Sequence, residues 1–128
     1  MPEHDGMIMK NDGFTLLELI TVLLILGMLS AIAIPKYFDL RNEAINKAVE
    51  GALAEGVSRI NAHFGQAVLS GSTPGQVVYT TATLGSDAGD FSLTYTDGDT
   101  ITVKAVGKTT TAVAGASSSR DVPEPGTV

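Results

Sequence analysis

The stretch that decides the fold is GFTLLELITVLLILGMLSAIAIPKY, residues 13–37 of a 128-residue chain. From Phe14 to Ile34 it is almost wholly apolar, and its one charged residue is Glu18. A helix of these 21 residues rises about 32 Å, which matches the hydrocarbon core of a bilayer. The sequence therefore predicts a membrane-spanning helix with a carboxylate close to its start.

Two other interpretations of the apolar run fit the sequence less well. A buried helix of a soluble protein needs more chain around it than the roughly 90 residues that remain. A cleaved secretory signal has an apolar region of about 7–15 residues and then a small-residue cleavage site, for which SAIAIPKY is a poor candidate. The membrane-spanning helix is the interpretation that the run favours.

The basic residues near the run leave its orientation open. Lys10 precedes the run, whereas Lys36, Arg41 and Lys47 follow it. The positive-inside rule would therefore place the C-terminal part in the cytoplasm. A short N-terminal segment can also be retained inside for other reasons, so both orientations remain possible at this point.

The composition argues against several classes of function. A formal net charge of −6 with scattered basic residues argues against contact with nucleic acid, because phosphate binding needs clustered Lys and Arg. The chain has no cysteine, and therefore no thiolate nucleophile or thiolate metal site. No nucleophile–base set, P-loop or dinucleotide fingerprint occurs, so the sequence predicts neither an enzyme nor a bound cofactor.

Residues 13–37 resemble the N-terminus of type IV pilins and of the related pseudopilins of type II secretion systems. The resemblance covers about a fifth of the chain and implies an α+β fold, in which a long N-terminal helix carries a small antiparallel sheet. The features that carry it, besides the apolar run, are Gly13, Phe14, Thr15, Leu16, Glu18, Gly27 and Pro35.

The resemblance also implies a sequence of processing steps. Residues 1–13 would be a leader peptide, which a prepilin peptidase removes between Gly13 and Phe14 before the new Phe14 amine is N-methylated. Glycine at position 13 would let the backbone approach the peptidase closely. The mature chain would lie in membrane lipid until an inner-membrane assembly platform lifts it into a homopolymer.

The leader departs from the short, basic leaders of the family. It carries three acidic residues against one lysine. Met7 and Met9 are alternative starts, and a start at Met9 gives the conventional leader MKNDG. We predict that the natural start is Met7 or Met9.

A charge pair between subunits would explain Glu18. Cleavage leaves a cationic amine on Phe14 at neutral pH, and an unpaired charge inside a dry helical bundle costs several kcal/mol. We expect Glu18 of one subunit to neutralise the Phe14 amine of its neighbour and so to fix the register of an open, repeating contact. The alternative for an isolated chain is that Glu18 lies at the membrane interface, where the helix dipole favours it.

Gly27 and Pro35 lie inside the predicted helix. Pro35 removes one backbone hydrogen bond, and glycine weakens a helix by about 1 kcal/mol relative to alanine. The segment between them is a candidate for stretching or melting when the helix leaves lipid for the filament. A gentle kink, which membrane helices often contain, is the alternative.

Beyond residues 14–35, the assembly helix, apolar residues recur at three- and four-residue steps. This pattern predicts an amphipathic continuation over 36–70, ending near Leu69 before SGSTPG. The i,i+4 pairs Glu43–Lys47 and Glu55–Arg59 are expected to support its exposed face.

The remaining chain predicts a small antiparallel sheet over 76–114. QVVYTTATL at 76–84, FSLTY at 91–95 and ITVKA at 101–105 are the main strand candidates, and TDGDT between the last two is a hairpin turn. Residues 109–114 are a weaker fourth candidate. The tail, 115–128, is predicted to be flexible because it is polar and rich in small residues.

Four aspartates in two turns are a weak candidate for a Ca²⁺ site, because hard cations bind several oxygen ligands. Asp is also a common turn residue, and the spacing matches no EF-hand loop, so no metal site is predicted. The four residues are Asp87, Asp90, Asp97 and Asp99.

The sequence therefore predicts a structural subunit of a type IV pilus or a pilus-like filament. The precursor would lie in the bacterial inner membrane and the product in an extracellular pilus. The alternatives are a type II secretion pseudopilin, in a periplasmic pseudopilus, and an envelope protein that is anchored by its signal and never polymerises.

Overall fold

The computed structural model describes residue 1 and residues 13–126. The chain forms two units, Met1–Asp39 and Leu40–Val128. Helix α1, Leu16–Leu69, contributes residues to both units. The predicted leader lies outside the described residues except for its two ends, and so do both candidate starts, Met7 and Met9.

The described part of the N-terminal unit consists of residue 1, the three non-helical residues 13–15 and the first part of α1, which begins at Leu16 and continues through Pro35. Every side chain from residue 13 to residue 39 is exposed. The long apolar helix predicted from the sequence is confirmed, and this part of it contributes no residue to the core formed by the described residues.

In the C-terminal unit, α1 buries one stripe of residues. Val49, Leu53 and Ile60 belong to the apolar pattern that predicted an amphipathic helix here, and all three are buried. Ala52 and Gly56 complete the stripe, and their small size allows the sheet to approach the helix closely.

Helix α1 ends in a Schellman motif. Gly71 has a φ of 91°, a left-handed conformation that glycine adopts without steric cost. The Ser72 amide donates to the carbonyl of Ala67 at 3.0 Å and the Gly71 amide donates to that of Val68 at 3.0 Å. These two bonds satisfy carbonyls that a helix end leaves free, and the predicted end near Leu69 is correct.

The predicted strand over residues 76–84 is wrong. A 3₁₀ turn, Pro74–Gln76, is followed by an extended segment and then by the short helix α2, Thr81–Leu84. Thr80 caps α2, since its hydroxyl accepts from the Thr83 amide and its own amide donates to the Thr83 hydroxyl. Threonine favours strands by propensity but also caps helices, and here the capping interaction prevails.

Four antiparallel strands form a sheet in the order β1-β2-β3-β4. The predicted strands at 91–95 and 101–105 are confirmed, as is the turn between them. Their alternating residues form the buried face, with Leu93 opposite Ala105 and Tyr95 opposite Val103. The strands are β1, Asp87–Ala88, β2, Phe91–Thr96, β3, Ile101–Gly107, and β4, Ser117–Val122.

Strand β4 contradicts the prediction of a flexible tail over 115–128. It pairs with the free edge of β3, with Val103 opposite Arg120. The predicted strand at 109–114 is also wrong, because this segment turns back over Gly107 and buries Val113. A Cβ on Gly107 would lie 2.0 Å from the Val113 carbonyl oxygen, so this return requires glycine.

One of the two predicted ion pairs on α1 forms. Arg59 pairs with Glu55, whereas Lys47 pairs with Glu50 at 3.1 Å and not with Glu43. Both spacings bring side chains together on a helix surface, so local geometry alone does not decide between them.

Candidate functional site

The start of α1 is held by a reciprocal pair of hydrogen bonds between Thr15 and Glu18. The Thr15 amide donates to Glu18 Oε2 at 2.8 Å, and the Glu18 amide donates to Thr15 Oγ1 at 3.2 Å. The Thr15 hydroxyl also donates to Oε2, at 2.9 Å. This arrangement is a capping box, which satisfies amides that the first turn of a helix leaves free.

Sequence reasoning missed this role of Glu18, although the signal was present. Thr-x-x-Glu immediately before an apolar run is the sequence signature of a capping box. The carboxylate therefore has a partner within its own chain. Both of its hydrogen bonds to residues 13–126 use Oε2, and Oε1 accepts none from this part of the chain. Glu18 can thus cap its helix and still offer one oxygen to a second cation.

Gly13 and Phe14 precede the helix as exposed, non-helical residues, and Phe14 is 90% exposed. A Cβ on Gly13 would have no described atom within 4 Å, and Gly13 is not among the glycines with positive φ. The fold of the described chain therefore does not require glycine here. The bond between Gly13 and Phe14 is open to another molecule.

The face of α1 that carries Glu18 forms a shallow, mainly apolar groove. Thr21 also lies on this face, and its hydroxyl donates to the Leu17 carbonyl at 2.7 Å. Such an internal bond lets a hydroxyl lie against lipid or another helix at little cost. The groove is lined by Phe14, Leu17, Glu18, Thr21 and Val22.

The rest of the assembly helix presents apolar side chains in every direction. Among the described helices, α1 alone is long and apolar enough to cross a membrane. None of its most apolar stretch is buried against other described residues. Such a surface requires lipid or neighbouring helices. Its large exposed side chains are Phe14, Leu16, Leu17, Leu19, Ile20, Val22, Leu23, Leu24, Ile25, Leu26, Met28, Leu29, Ile32 and Ile34.

Gly27 and Pro35 both lie inside α1, which is helical on either side of each. A Cβ on Gly27 would meet no described atom within 4 Å, so packing within the chain does not require glycine there. Flexibility between these two residues stays a prediction for the assembly step.

The four aspartates considered for Ca²⁺ do not converge. Asp87 and Asp90 lie before β2 and the other two lie after it, and a six-residue strand separates its ends by about 20 Å. Asp97 accepts a hydrogen bond from the Tyr79 amide at 3.0 Å. Within the described chain, no group of three or more His, Asp or Glu side chains could hold a metal ion.

Asp87 instead pairs with Lys108, whose ammonium lies 2.7 Å from Oδ1. The hydrogen bond and charge of Lys108 lower the pKa of the Asp87 carboxyl below its ordinary value. The pair links the first residue of β1 to the residue that follows β3. It is a structural contact on the surface.

Arg59 was predicted only as the partner of Glu55, yet it also holds the segment between α2 and β1. Its guanidinium donates to the carbonyls of Gly85 at 3.0 Å and Asp87 at 2.6 Å. Arginine's planar fork suits such a set of acceptors. No local sequence signal indicates this contact, because it joins residues more than 25 positions apart.

Comparison with known proteins agrees with the geometry of the N-terminal unit. Residues 8–34 match the family model for the prokaryotic N-terminal methylation motif. This match spans the capping box, the bond between Gly13 and Phe14, and the whole apolar run.

Several curated proteins are similar to the chain. The type IV major alpha-pilin of Moraxella bovis is 42% identical over 64 residues, which are 50% of this chain and 38% of the relative. The major component of the type IV narrow pilus of Thermus thermophilus is 44% identical over 46 residues, 36% of this chain and 40% of the relative. A fimbrial protein of Pseudomonas aeruginosa is 35% identical over 111 residues, 75% of this chain and 66% of the relative.

An exposed apolar helix with this motif at its start, followed by a four-stranded antiparallel sheet, defines a pilin-like protein. The chain belongs to the type IV pilin family. It spans about two fifths of the length of the Moraxella and Thermus relatives. No solved structure matches it significantly.

Proposed function

We propose that the chain is a structural subunit of a type IV pilus, assembled through the first part of α1. The observation that carries the proposal is the combination at the helix start. A carboxylate with one oxygen that accepts no hydrogen bond from residues 13–126 lies on a helix whose apolar surface these residues leave uncovered. A helix of this kind needs apolar neighbours, and the carboxylate needs a cation once those neighbours exclude water.

The first step is cleavage between Gly13 and Phe14 by a prepilin peptidase, followed by N-methylation of Phe14. A side chain on residue 13 would meet nothing in the described chain. We therefore infer that glycine is needed for recognition by the peptidase, because a residue without Cβ permits close approach. The exposure of both residues supports access to this bond.

The second step is polymerisation. In the filament, Glu18 Oε1 accepts a hydrogen bond from the Phe14 amine of a neighbouring subunit, while Oε2 keeps its bonds to Thr15. The helix cap therefore survives assembly, and it presents the carboxylate in a fixed direction. A subunit displaced along the axis would bury an unpaired charge, which costs several kcal/mol.

Before assembly, the chain spans the bacterial inner membrane and is passed to an assembly platform there. The product is an extracellular pilus and not a periplasmic pseudopilus. The relatives are pilus and fimbrial proteins, which supports this choice.

Processing is tested by mass spectrometry of the mature N-terminus. We expect N-methylphenylalanine at position 14, and we expect Gly13→Ala to leave the precursor uncut without changing its fold. Gly27→Ala is the matched control, since that glycine also has open space around it. An intact leader in the wild-type protein would contradict the proposal.

Assembly is tested by Glu18→Gln. Glutamine also serves at this position of a capping box, so the helix start is retained and only the charge is removed. We expect processed monomer to accumulate in the membrane and filaments to be lost from the sheared fraction. Glu43→Gln, on the exposed surface of α1, is the control. Wild-type filament yield from Glu18→Gln would refute the charge pair.

A further inference from the structure

Three residues directly after the apolar run form a distinct surface. Tyr37 and Phe38 are 66% and 54% exposed, and their rings meet edge to face with centroids 6.0 Å apart. Lys36 beside them is also exposed. Pro35 precedes all three and lies within the same helix.

The chemistry of this surface fits the boundary between lipid headgroups and acyl chains. Tyrosine has an apolar ring and a polar tip, which suits a layer that is apolar on one side and wet on the other. Lysine extends its stem along apolar surface and places its ammonium among anionic headgroups. Phenylalanine adds apolar area that lies against the upper acyl chains.

The spacing along α1 places this surface one bilayer away from the capping box. Tyr37 follows Glu18 by 19 residues, a rise of about 28 Å, close to the roughly 30 Å of the hydrocarbon core. A shift by one helical turn, about 5.4 Å, would pull Glu18 into hydrocarbon or draw both rings into water. Only one depth of α1 in the bilayer therefore places Glu18 at one membrane surface and the two rings at the other.

We propose that Lys36, Tyr37 and Phe38 form an interfacial anchor that binds the headgroup layer of the bilayer and fixes the depth of α1. The anchor holds the capping box and the bond between Gly13 and Phe14 at the opposite membrane surface, where a peptidase can reach them. This inference rests on the proposed membrane-spanning precursor, and it assigns the anchor a partner, the phospholipid surface.

The depth of α1 can be measured by quenching the fluorescence of an introduced tryptophan, because the chain contains no tryptophan of its own. Tyr37→Trp and Leu26→Trp each introduce a single reporter into the full chain, reconstituted in phosphatidylethanolamine–phosphatidylglycerol vesicles. Lipids brominated near the headgroup should quench the reporter at 37 most strongly, and lipids brominated near the methyl end should quench the reporter at 26. Leu26 lies about 12 Å from Glu18 along the helix, near the bilayer centre.

The two reporters separate the failure of the anchor from the failure of its premise. Lipids brominated near the methyl end could quench the reporter at 26 and also quench the reporter at 37 best, or they could quench the reporter at 26 while no lipid quenches the reporter at 37. Either result refutes the anchor but leaves the membrane span in place. If the reporter at 26 escapes deep quenching, the membrane span itself is refuted, and the anchor with it.

A second variant tests whether the anchor sets the depth. Lys36→Ser, Tyr37→Ser and Phe38→Ser are combined with the Leu26→Trp reporter. We expect a lower ratio of deep to shallow quenching, because the helix loses its fixed depth. Leu40→Ser, an exposed apolar residue beyond the anchor, should leave the ratio unchanged. An unchanged ratio in the triple variant would overturn the proposal.

Discussion

Gly56 of α1 lies so close to Val103 of β3 that a Cβ at position 56 would be 2.6 Å from Cγ1 of Val103. Val103 is completely buried, and its branched side chain has little freedom to move. Helix and sheet therefore meet here without an intervening side chain. The close approach explains why a glycine, which weakens a helix interior, occupies the centre of the buried stripe.

Gly56→Ala should lower the free energy of unfolding by about 1–3 kcal/mol, because overpacking outweighs the gain in helix propensity. The matched control is Gly51→Ala, on the exposed side of the same helix, where a Cβ would meet no described atom within 4 Å. That change should raise stability by up to about 1 kcal/mol. Chemical unfolding of the full chain in detergent, followed by circular dichroism, measures both, and equal effects of the two variants would contradict the packing argument.

Arg59→Ala should lower the free energy of unfolding by about 1–3 kcal/mol, since the carbonyls of Gly85 and Asp87 lose a charged donor. Arg59→Lys should recover only part of this, because an ammonium lacks the planar fork. Hydrogen exchange of residues 84–88 should accelerate in the alanine variant. Lys47→Ala, which breaks the exposed pair with Glu50, should cost no more than about 0.5 kcal/mol. A similar cost for the two alanine variants would show that the carbonyl contacts contribute nothing.

The sequence predicted those elements whose own side chains carry a periodic pattern. Strands β2 and β3 alternate apolar and polar residues, and the end of α1 is marked by a glycine that can adopt positive φ. Strand β4, with the sequence SSSRDV, has no such pattern. It forms because the outer edge of β3 offers unpaired backbone groups, and this information lies elsewhere in the chain.

The same limit applies to the candidate site. The apolar run, Gly13 and Phe14 were identified from residues close together in sequence, and so was Glu18. The capping role of Glu18 was equally local and could have been predicted from Thr15, three residues earlier. The contacts of Arg59 with the loop carbonyls could not have been predicted, because they depend on how distant segments meet after folding.

The pair between Asp87 and Lys108 should make stability depend on pH. Lys108 lowers the pKa of the folded-state Asp87 carboxyl below its ordinary value of about 3.9. The pair therefore stabilises the fold above that value, and its contribution is lost as the pH falls through the lower folded-state pKa. The difference in unfolding temperature between wild type and Asp87→Asn should be constant above about pH 5 and vanish toward about pH 2. Asp99→Asn, beyond the other end of β2, is the control, and a difference that grows on acidification would contradict the assignment.

Thr15→Ala separates the helix cap from the charge of Glu18. The variant loses the hydroxyl that accepts from the Glu18 amide but keeps the carboxylate. Loss of a threonine cap costs about 1 kcal/mol, so amide exchange at Glu18 in detergent micelles should accelerate about fivefold. Filament yield should fall far less than in Glu18→Gln, because the cation partner of the carboxylate is retained. Thr21→Ala removes a hydroxyl that donates to the Leu17 carbonyl and not to the cap, so it should leave exchange at Glu18 unchanged. If Thr15→Ala abolished filaments as completely as Glu18→Gln, the orientation imposed by the cap would be as necessary as the charge, and the charge pair alone would not account for assembly.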